Sequence, residues 1–199
     1  MTQEMSDDFK FTGENLAEAE KIIARYPEGR QQSAVLPLLD LAQRQNGGHA
    51  DDAVIDMVSE MLGMARIRVM EVATFYTMIN LAPVGKFHLQ CCTTTPCWLR
   101  GSAEVVEAMQ KHLGIGYGEV TKDGMFSMVE VECLGGCVNA PIVQINDDFF
   151  EDLDAKSVVQ VLDALKKGEA PTPGPQIDRQ TSGPAGGLTT LTDLELAKE

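Results

Sequence analysis

Five cysteines punctuate this chain, and four of them fall into two close pairs. Cys92 and Cys97 are separated by Thr93-Thr94-Thr95-Pro96, and Cys133 and Cys137 by Leu134-Gly135-Gly136. Two such pairs suit an iron–sulfur cluster of the [2Fe–2S] type, which takes four deprotonated cysteines, two on each iron. A short spacing lets both sulfurs of a pair converge on one iron without distorting the chain. Gly135 and Gly136 let the backbone pass close to inorganic sulfide, whose charge N–H groups stabilise. Thr93, Thr94 and Thr95 offer hydroxyls and amides for the same purpose, and such hydrogen bonds help set the potential. Structural zinc stays open on spacing alone, since paired cysteines roughly two to four residues apart also hold zinc. A dithiol redox enzyme fits less well, because its usual signature is C-x-x-C and neither pair has that spacing.

Nothing else in the sequence offers catalytic chemistry. His88 and His112 have no evident acid–base partner and read as surface or partly buried histidines. Gly114, Gly116 and Gly118 follow a helix, not a strand, and are too loosely spaced for a nucleotide-binding fingerprint. Trp98, beside Cys97, reads as a shield against water. The acidic run Asp147, Asp148, Glu151, Asp152 and Asp154 reads as a solvated turn and helix start, with a docking surface as the sharper alternative.

The elements that must position the cysteines change character along the chain. Residues 1–82 read as a small bundle of four helices. Thr12 is placed to cap the first, whose apolar positions Leu16, Ala19, Ile22, Ile23 and Tyr26 recur at helical steps. Ser33 is placed to cap the second, which Gly47 and Gly48 stop. Asp51 or Asp52 opens the third, and a fourth covers 69–80. Met57, Met61, Met64, Met70 and Met78, with Phe75 and Tyr76, read first as core filling and second as a docking face.

From Lys86 the period becomes two. Phe87, Leu89 and Cys91 point to one side of a strand, and His88, Gln90 and Cys92 to the other. Cys91 is therefore expected in the core and Cys92 at the site. Pro96 and Gly101 bracket an expected turn, Ser102 is placed to cap a helix ending at Gly114, and a strand over 125–132 delivers Cys133. Strands follow at 141–145 and 149–150, and Asp154 caps a last helix that Gly168 ends. This α/β sandwich over 83–168 is compatible with a thioredoxin-like sheet, in which Ala140-Pro141 would be a cis bond. Residues 169–199, with Pro171, Pro173, Pro175, Pro184, Gly186 and Gly187, read as an extended tail lacking regular structure unless ordered on a partner. The fold class expected is α+β.

The chain has 199 residues, 44% of them hydrophobic, enough for a core, and a formal net charge of −14. Such a surface repels phosphate backbones, so nucleic acid and anionic lipid are unsuited partners and a basic protein fits better. The first nine residues carry Glu4, Asp7 and Asp8 and no apolar run, which reads as neither a secretory signal nor a transit peptide. No apolar stretch approaches the roughly 20 residues needed to span a bilayer. The chain is therefore expected to stay in the compartment where it is made, and thiols kept reduced in the cytosol favour metal ligation over disulfides.

The run Cys92-Thr93-Thr94-Thr95-Pro96-Cys97-Trp98, with Val131-Glu132-Cys133-Leu134-Gly135-Gly136-Cys137-Val138-Asn139-Ala140-Pro141, closely resembles the thioredoxin-like [2Fe–2S] component of respiratory complex I, the E-type family of NADH-quinone oxidoreductase subunits. Glu71-Val72-Ala73-Thr74-Phe75-Tyr76-Thr77 and the tail stretch Thr181-Ser182-Gly183-Pro184-Ala185-Gly186-Gly187-Leu188 add to the likeness. The resemblance implies one [2Fe–2S] cluster held by Cys92, Cys97, Cys133 and Cys137, with Cys91 matching no ligand. It implies a partner flavoprotein that binds FMN and oxidises NADH, further peripheral-arm subunits of complex I, and storage of one electron taken from that flavin. It also implies a cytoplasmic protein held at the inner membrane by other subunits, or the matrix side for a mature organellar form. The same subunit type in a soluble NAD-linked hydrogenase or formate dehydrogenase is the nearest alternative. A zinc-stabilised interaction scaffold is the more distant one.

Overall fold

The computed structural model describes residues 9–187 together with 189 and 190. The acidic start with Glu4, Asp7 and Asp8, and Leu188 of the tail motif, lie outside the described residues. The chain divides into two compact units, Met1–Val84 and Gly85–Glu199. Seven helices and a mixed five-stranded sheet among the described residues make the fold α+β, as expected.

The first unit is built of helices α1 (Gly13–Ala24), α2 (Val35–Gln45), α3 (Asp52–Leu62) and α4 (Arg66–Phe75). Their apolar stripes meet in one core, because Val35, Leu38, Leu39 and Ala42 recur at helical spacing on α2 and Val54, Ile55, Val58 and Leu62 on α3. Asp51 caps α3 by accepting from the Val54 N–H at 3.0 Å, and Gly63 ends it at φ +57. Two expected caps are not used. Thr12 precedes α1 without a side-chain bond, and a 3₁₀ turn over Gln31–Ala34 runs straight into α2, so Ser33 caps nothing.

Helix α4 starts and stops earlier than the expected 69–80. Arg66 at its start is fastened to Asp56 at 2.7 Å and also to Asp52. At its end Tyr76 turns to extended backbone, which brings Ile79 into the core. Asn80 then donates its N–H to Gln43 Oε1 at 3.1 Å and accepts from the Ala50 N–H at 2.7 Å. A longer helix would forfeit those pairings. Met57, Met61, Met64 and Met70 pack against the core as gap fillers, while Met78 and Phe75 are exposed.

The second unit carries the cysteines. Strand β1 (Phe87–Cys92) pairs in parallel with β2 (Phe126–Val131) and antiparallel with β3 (Val143–Ile145). β3 turns through Asn146 into β4 (Asp148–Glu151), and with the short β5 (Gly174–Pro175) the sheet order is β2-β1-β3-β4-β5. Helices α6 (Ser102–Leu113) and α7 (Ala155–Lys167) pack together, with Val105, Met109, Val158, Val161 and Leu162 buried in one core with Leu89, Cys91, Phe126, Met128 and Val143.

The turn expected around Pro96 is instead a short helix, α5 (Thr95–Leu99), with proline in its first turn, where a missing N–H costs nothing. Gly101 rather than Ser102 occupies the cap position of α6. Asp154 caps α7 in a capping box with Ser157, and Gly168 ends it. Ala140-Pro141 is cis.

Within the extended tail, residues 174–183 carry some regular structure. Gly174–Pro175 adds a short strand, β5, parallel to β4, and Arg179 is buried against Asp152. Residues 174–183 pack on their own unit through backbone pairing and one ion pair, which stand in for the apolar burial that their composition lacks. Among the described residues, no helix is long and apolar enough to cross a membrane.

Candidate metal centre

Cys92 ends β1, and strand alternation turns it away from the core that holds Cys91. Its N–H donates to the Ile142 carbonyl at 3.3 Å, continuing the β1–β3 ladder to the edge of the site. Cys97 sits in α5. These two sulfur residues are 3% and 1% exposed, in a small apolar cluster with Ala140 and Ile142 that Leu134 and Phe149 flank. Cys133 and Cys137 are exposed, one following β2 and the other opening a 3₁₀ turn over Cys137–Asn139. Their sulfurs lie 3.4 Å apart.

The four thiols form one electrostatic neighbourhood. Burial pushes the Cys92 thiol up, but hydrogen bonds from the Thr94 hydroxyl and from the Leu134 and Thr94 N–H groups outweigh it and bring it below its ordinary value. Burial, reinforced by Cys92, raises Cys97 to about 12. The Gly135 N–H, 3.4 Å from the sulfur, lowers Cys133, helped by the Cys137 thiol and Thr94. Cys133 and burial in turn raise Cys137, and Cys92 adds to that rise. In each pair one thiol lies below its ordinary value and the other above it. Four thiolates so close repel one another and lose their protons together only when cationic metal neutralises them.

The donor set fits a [2Fe–2S] group: four sulfurs in two pairs, met by N–H groups of Thr94, Leu134, Gly135 and Ile142. Gly136 fits as well, because a Cβ there would lie 2.5 Å from Ile142 Cδ1. Gly135 adopts φ +84, a conformation side chains disfavour. Among the described residues, no group of three or more His, Cys, Asp or Glu is arranged to hold one metal ion.

Other expected features lie apart from the sulfurs. Trp98 is 63% exposed. His88 bonds Ser127 at 2.7 Å, and His112 finds the carboxylate of Asp163 at 2.9 Å. Of the acidic run, Asp152 is buried and paired and Asp154 is a helix cap. Sequence reasoning missed the N–H donors of Leu134 and Ile142, which only the folded loops reveal. It also missed α5, which proline after threonine could have signalled.

Residues 19–166 match the family described as thioredoxin-like [2Fe-2S] ferredoxin. The chain is 50% identical over 185 residues to NADH dehydrogenase [ubiquinone] flavoprotein 2, mitochondrial, of Dictyostelium discoideum, covering 93% of this chain and 75% of that one. It is 56% identical over 159 residues to the E-type subunit of NADH-quinone oxidoreductase from Rickettsia bellii, covering 80% and 95%. Among solved structures, an NAD+-reducing [NiFe]-hydrogenase in the air-oxidised state shares the fold, with TM-score 0.57 at 18% identity, over 65% of this chain and 23% of that one. The chain belongs to the thioredoxin-like [2Fe-2S] ferredoxin family.

Proposed function

We propose that this chain is the electron-carrying [2Fe–2S] subunit of the NADH dehydrogenase module of an NADH:quinone oxidoreductase, with Cys92, Cys97, Cys133 and Cys137 as the cluster ligands. The observation that carries the ligand set is the grouping of these sulfurs in two pairs, Cys92 with Cys97 in one buried cluster and Cys133 with Cys137 at 3.4 Å, met by backbone N–H groups. Its place in NADH:quinone oxidoreductase rests on relatives at 50% and 56% identity that bear that name or its mitochondrial equivalent. When bound, the cluster supplies reversible uptake of one electron.

The protein's part is to hold and tune that group. Cys92 and Cys97, buried beside Ala140 and Ile142, and Cys133 and Cys137, exposed where a partner could approach, would hold the cluster. The partner in this reading is a flavoprotein that binds FMN and oxidises NADH, whose flavin gives up one electron to this site. Other peripheral-arm subunits hold the assembly at the membrane face. The shared fold with an NAD+-reducing hydrogenase keeps a soluble NAD-linked enzyme as the second reading.

Anaerobically purified protein is expected to carry two irons and two sulfides and to show a one-electron EPR signal on reduction. Serine at Cys92, Cys97, Cys133 or Cys137 alters that signal; colourless protein carrying zinc refutes the assignment. Co-purification with either quinone-reductase or hydrogenase subunits separates the two readings.

A further inference from the structure

A polar network joins the tail to the turn that carries Cys137, and nothing in the chemistry above uses it. Arg179 Nη1 donates to both carboxylate oxygens of Asp152, at 2.9 and 3.1 Å, and to the Val138 carbonyl at 3.4 Å. Arg179 Nε donates to the Gly183 carbonyl at 2.9 Å. The ion-paired side chains are only 7% and 2% exposed, so each charge depends on the other for its compensation. The Asp152 N–H donates to the Asn139 carbonyl at 2.7 Å. Asn139 Nδ2 donates to Glu151 Oε2 at 2.6 Å and to the Thr181 carbonyl at 3.1 Å. Pairing of β5 with β4, continued by the Gln176 N–H on the Glu151 carbonyl at 2.9 Å, fixes where the segment runs.

The turn itself has little to hold it. Cys137 is exposed and Val138 is 69% exposed. Its own backbone bonds are Asn139 N–H to the Gly136 carbonyl at 2.9 Å and Ala140 N–H to the Cys137 carbonyl at 3.4 Å. Its order therefore comes from outside, through Val138, Asn139 and Asp152. We propose that residues 174–183 form a strap in which Arg179 is a positioning residue for the Cys137–Asn139 turn, and through it for the Cys133–Cys137 sulfur pair. The last step rests on the ligand reading above; the hold on the turn does not.

The test uses the full-length holoprotein with Arg179→Ala, Arg179→Lys and the double variant Arg179→Gln/Asp152→Asn. The double variant removes both charges and keeps at position 152 a residue that tolerates its φ of +50. Two quantities are read: amide hydrogen exchange at Asn139 and Asp152, with Val161 and Leu162 of α7 as internal controls, and the rate at which an iron chelator bleaches the cluster. Arg179→Ala is expected to speed both about ten-fold while α7 exchange is unchanged. Lys, which pairs but cannot fork, falls between. Unchanged exchange and bleaching in folded Arg179→Ala, or in the double variant where the single does not fold, overturns the strap. Faster exchange with unchanged bleaching overturns its link to the sulfur pair. Where Cys137→Ser also leaves the cluster spectrum unaltered, the fault lies in the ligand reading and not in the strap.

Discussion

The sulfur of Cys133 stands 3.4 Å from that of Cys137 and accepts the Gly135 N–H at the same distance. This contact splits the reactivity of the cysteines in the metal-free protein. The Gly135 N–H lowers the folded pKa of Cys133, so its thiolate persists to lower pH than in the unfolded chain. Cys137 is raised by that neighbour, and burial pushes Cys91 up to about 12. A limiting iodoacetamide pulse on apoprotein near neutral pH is therefore expected to label Cys133 first and Cys91 only after denaturant is added. Peptide mapping reads the order. Labelling of Cys91 ahead of Cys133 contradicts it.

Gly136 and Ile142 make a second testable contact. Gly136 has an ordinary φ of −90, so alanine there meets no backbone strain, only Ile142 Cδ1 at 2.5 Å. Gly136→Ala is expected to cost about 1–3 kcal/mol by overpacking. Ile142→Val removes the offending carbon and should restore most of that loss when combined with it. Gly135→Ala costs about 1 kcal/mol for a different reason, its φ of +84, and Ile142→Val gives it no relief. Urea unfolding of the single and double variants decides between steric and backbone causes, since a coupling energy near zero for Gly136 with Ile142 rules the steric one out.

How much of this was legible depended on whether the signal was local. Alternation along β1 separates Cys91 from Cys92, and the structure places the first in the core and the second at the site. Asp154 and Gly168 bound α7 because cap chemistry lies within one turn of the helix end. Helix α4 was misjudged because what ends it is remote: the exchange of Asn80 with Gln43 and Ala50. The pairing of residues 174–183 is illegible in sequence for the same reason. Their composition offers little apolar surface to bury, and the partner of Arg179 is Asp152, 27 residues earlier and beyond any local pattern.

The cap of α7 predicts a pH dependence. Asp154 accepts the N–H groups of Ser157 at 2.6 Å and Lys156 at 2.9 Å, and these bonds, that of Ser157 first, hold its carboxyl below the usual value. A folded pKa below the unfolded one means stabilisation that is present above the unfolded pKa and lost as pH falls through the folded one. Asp154→Ala is therefore expected to cost about 1 kcal/mol at neutral pH. The gap between variant and wild type should narrow below about pH 4 as the wild-type carboxylate takes up its proton. Urea midpoints measured from neutral to acid pH check this, and a gap independent of pH removes the charged cap as its cause.

Cys91 offers the sharpest separation of structure from function, because it adjoins Cys92 in sequence yet is 0% exposed among Leu89, Val143 and Met128. Its nearest polar contact is the Leu89 carbonyl at 3.9 Å from the sulfur, too weak to satisfy a hydroxyl. Cys91→Ser buries an oxygen with no partner at bonding distance and is expected to cost about 1–3 kcal/mol. Cys91→Ala loses only apolar contact and leaves a small void, and is expected to cost about 1 kcal/mol. Both should retain iron content and EPR line shape, whereas Cys92→Ser, one residue along, should alter both. Thermal unfolding and EPR on the same samples settle the matter: a changed signal in Cys91→Ala puts this sulfur on the metal and undoes the assignment by strand face.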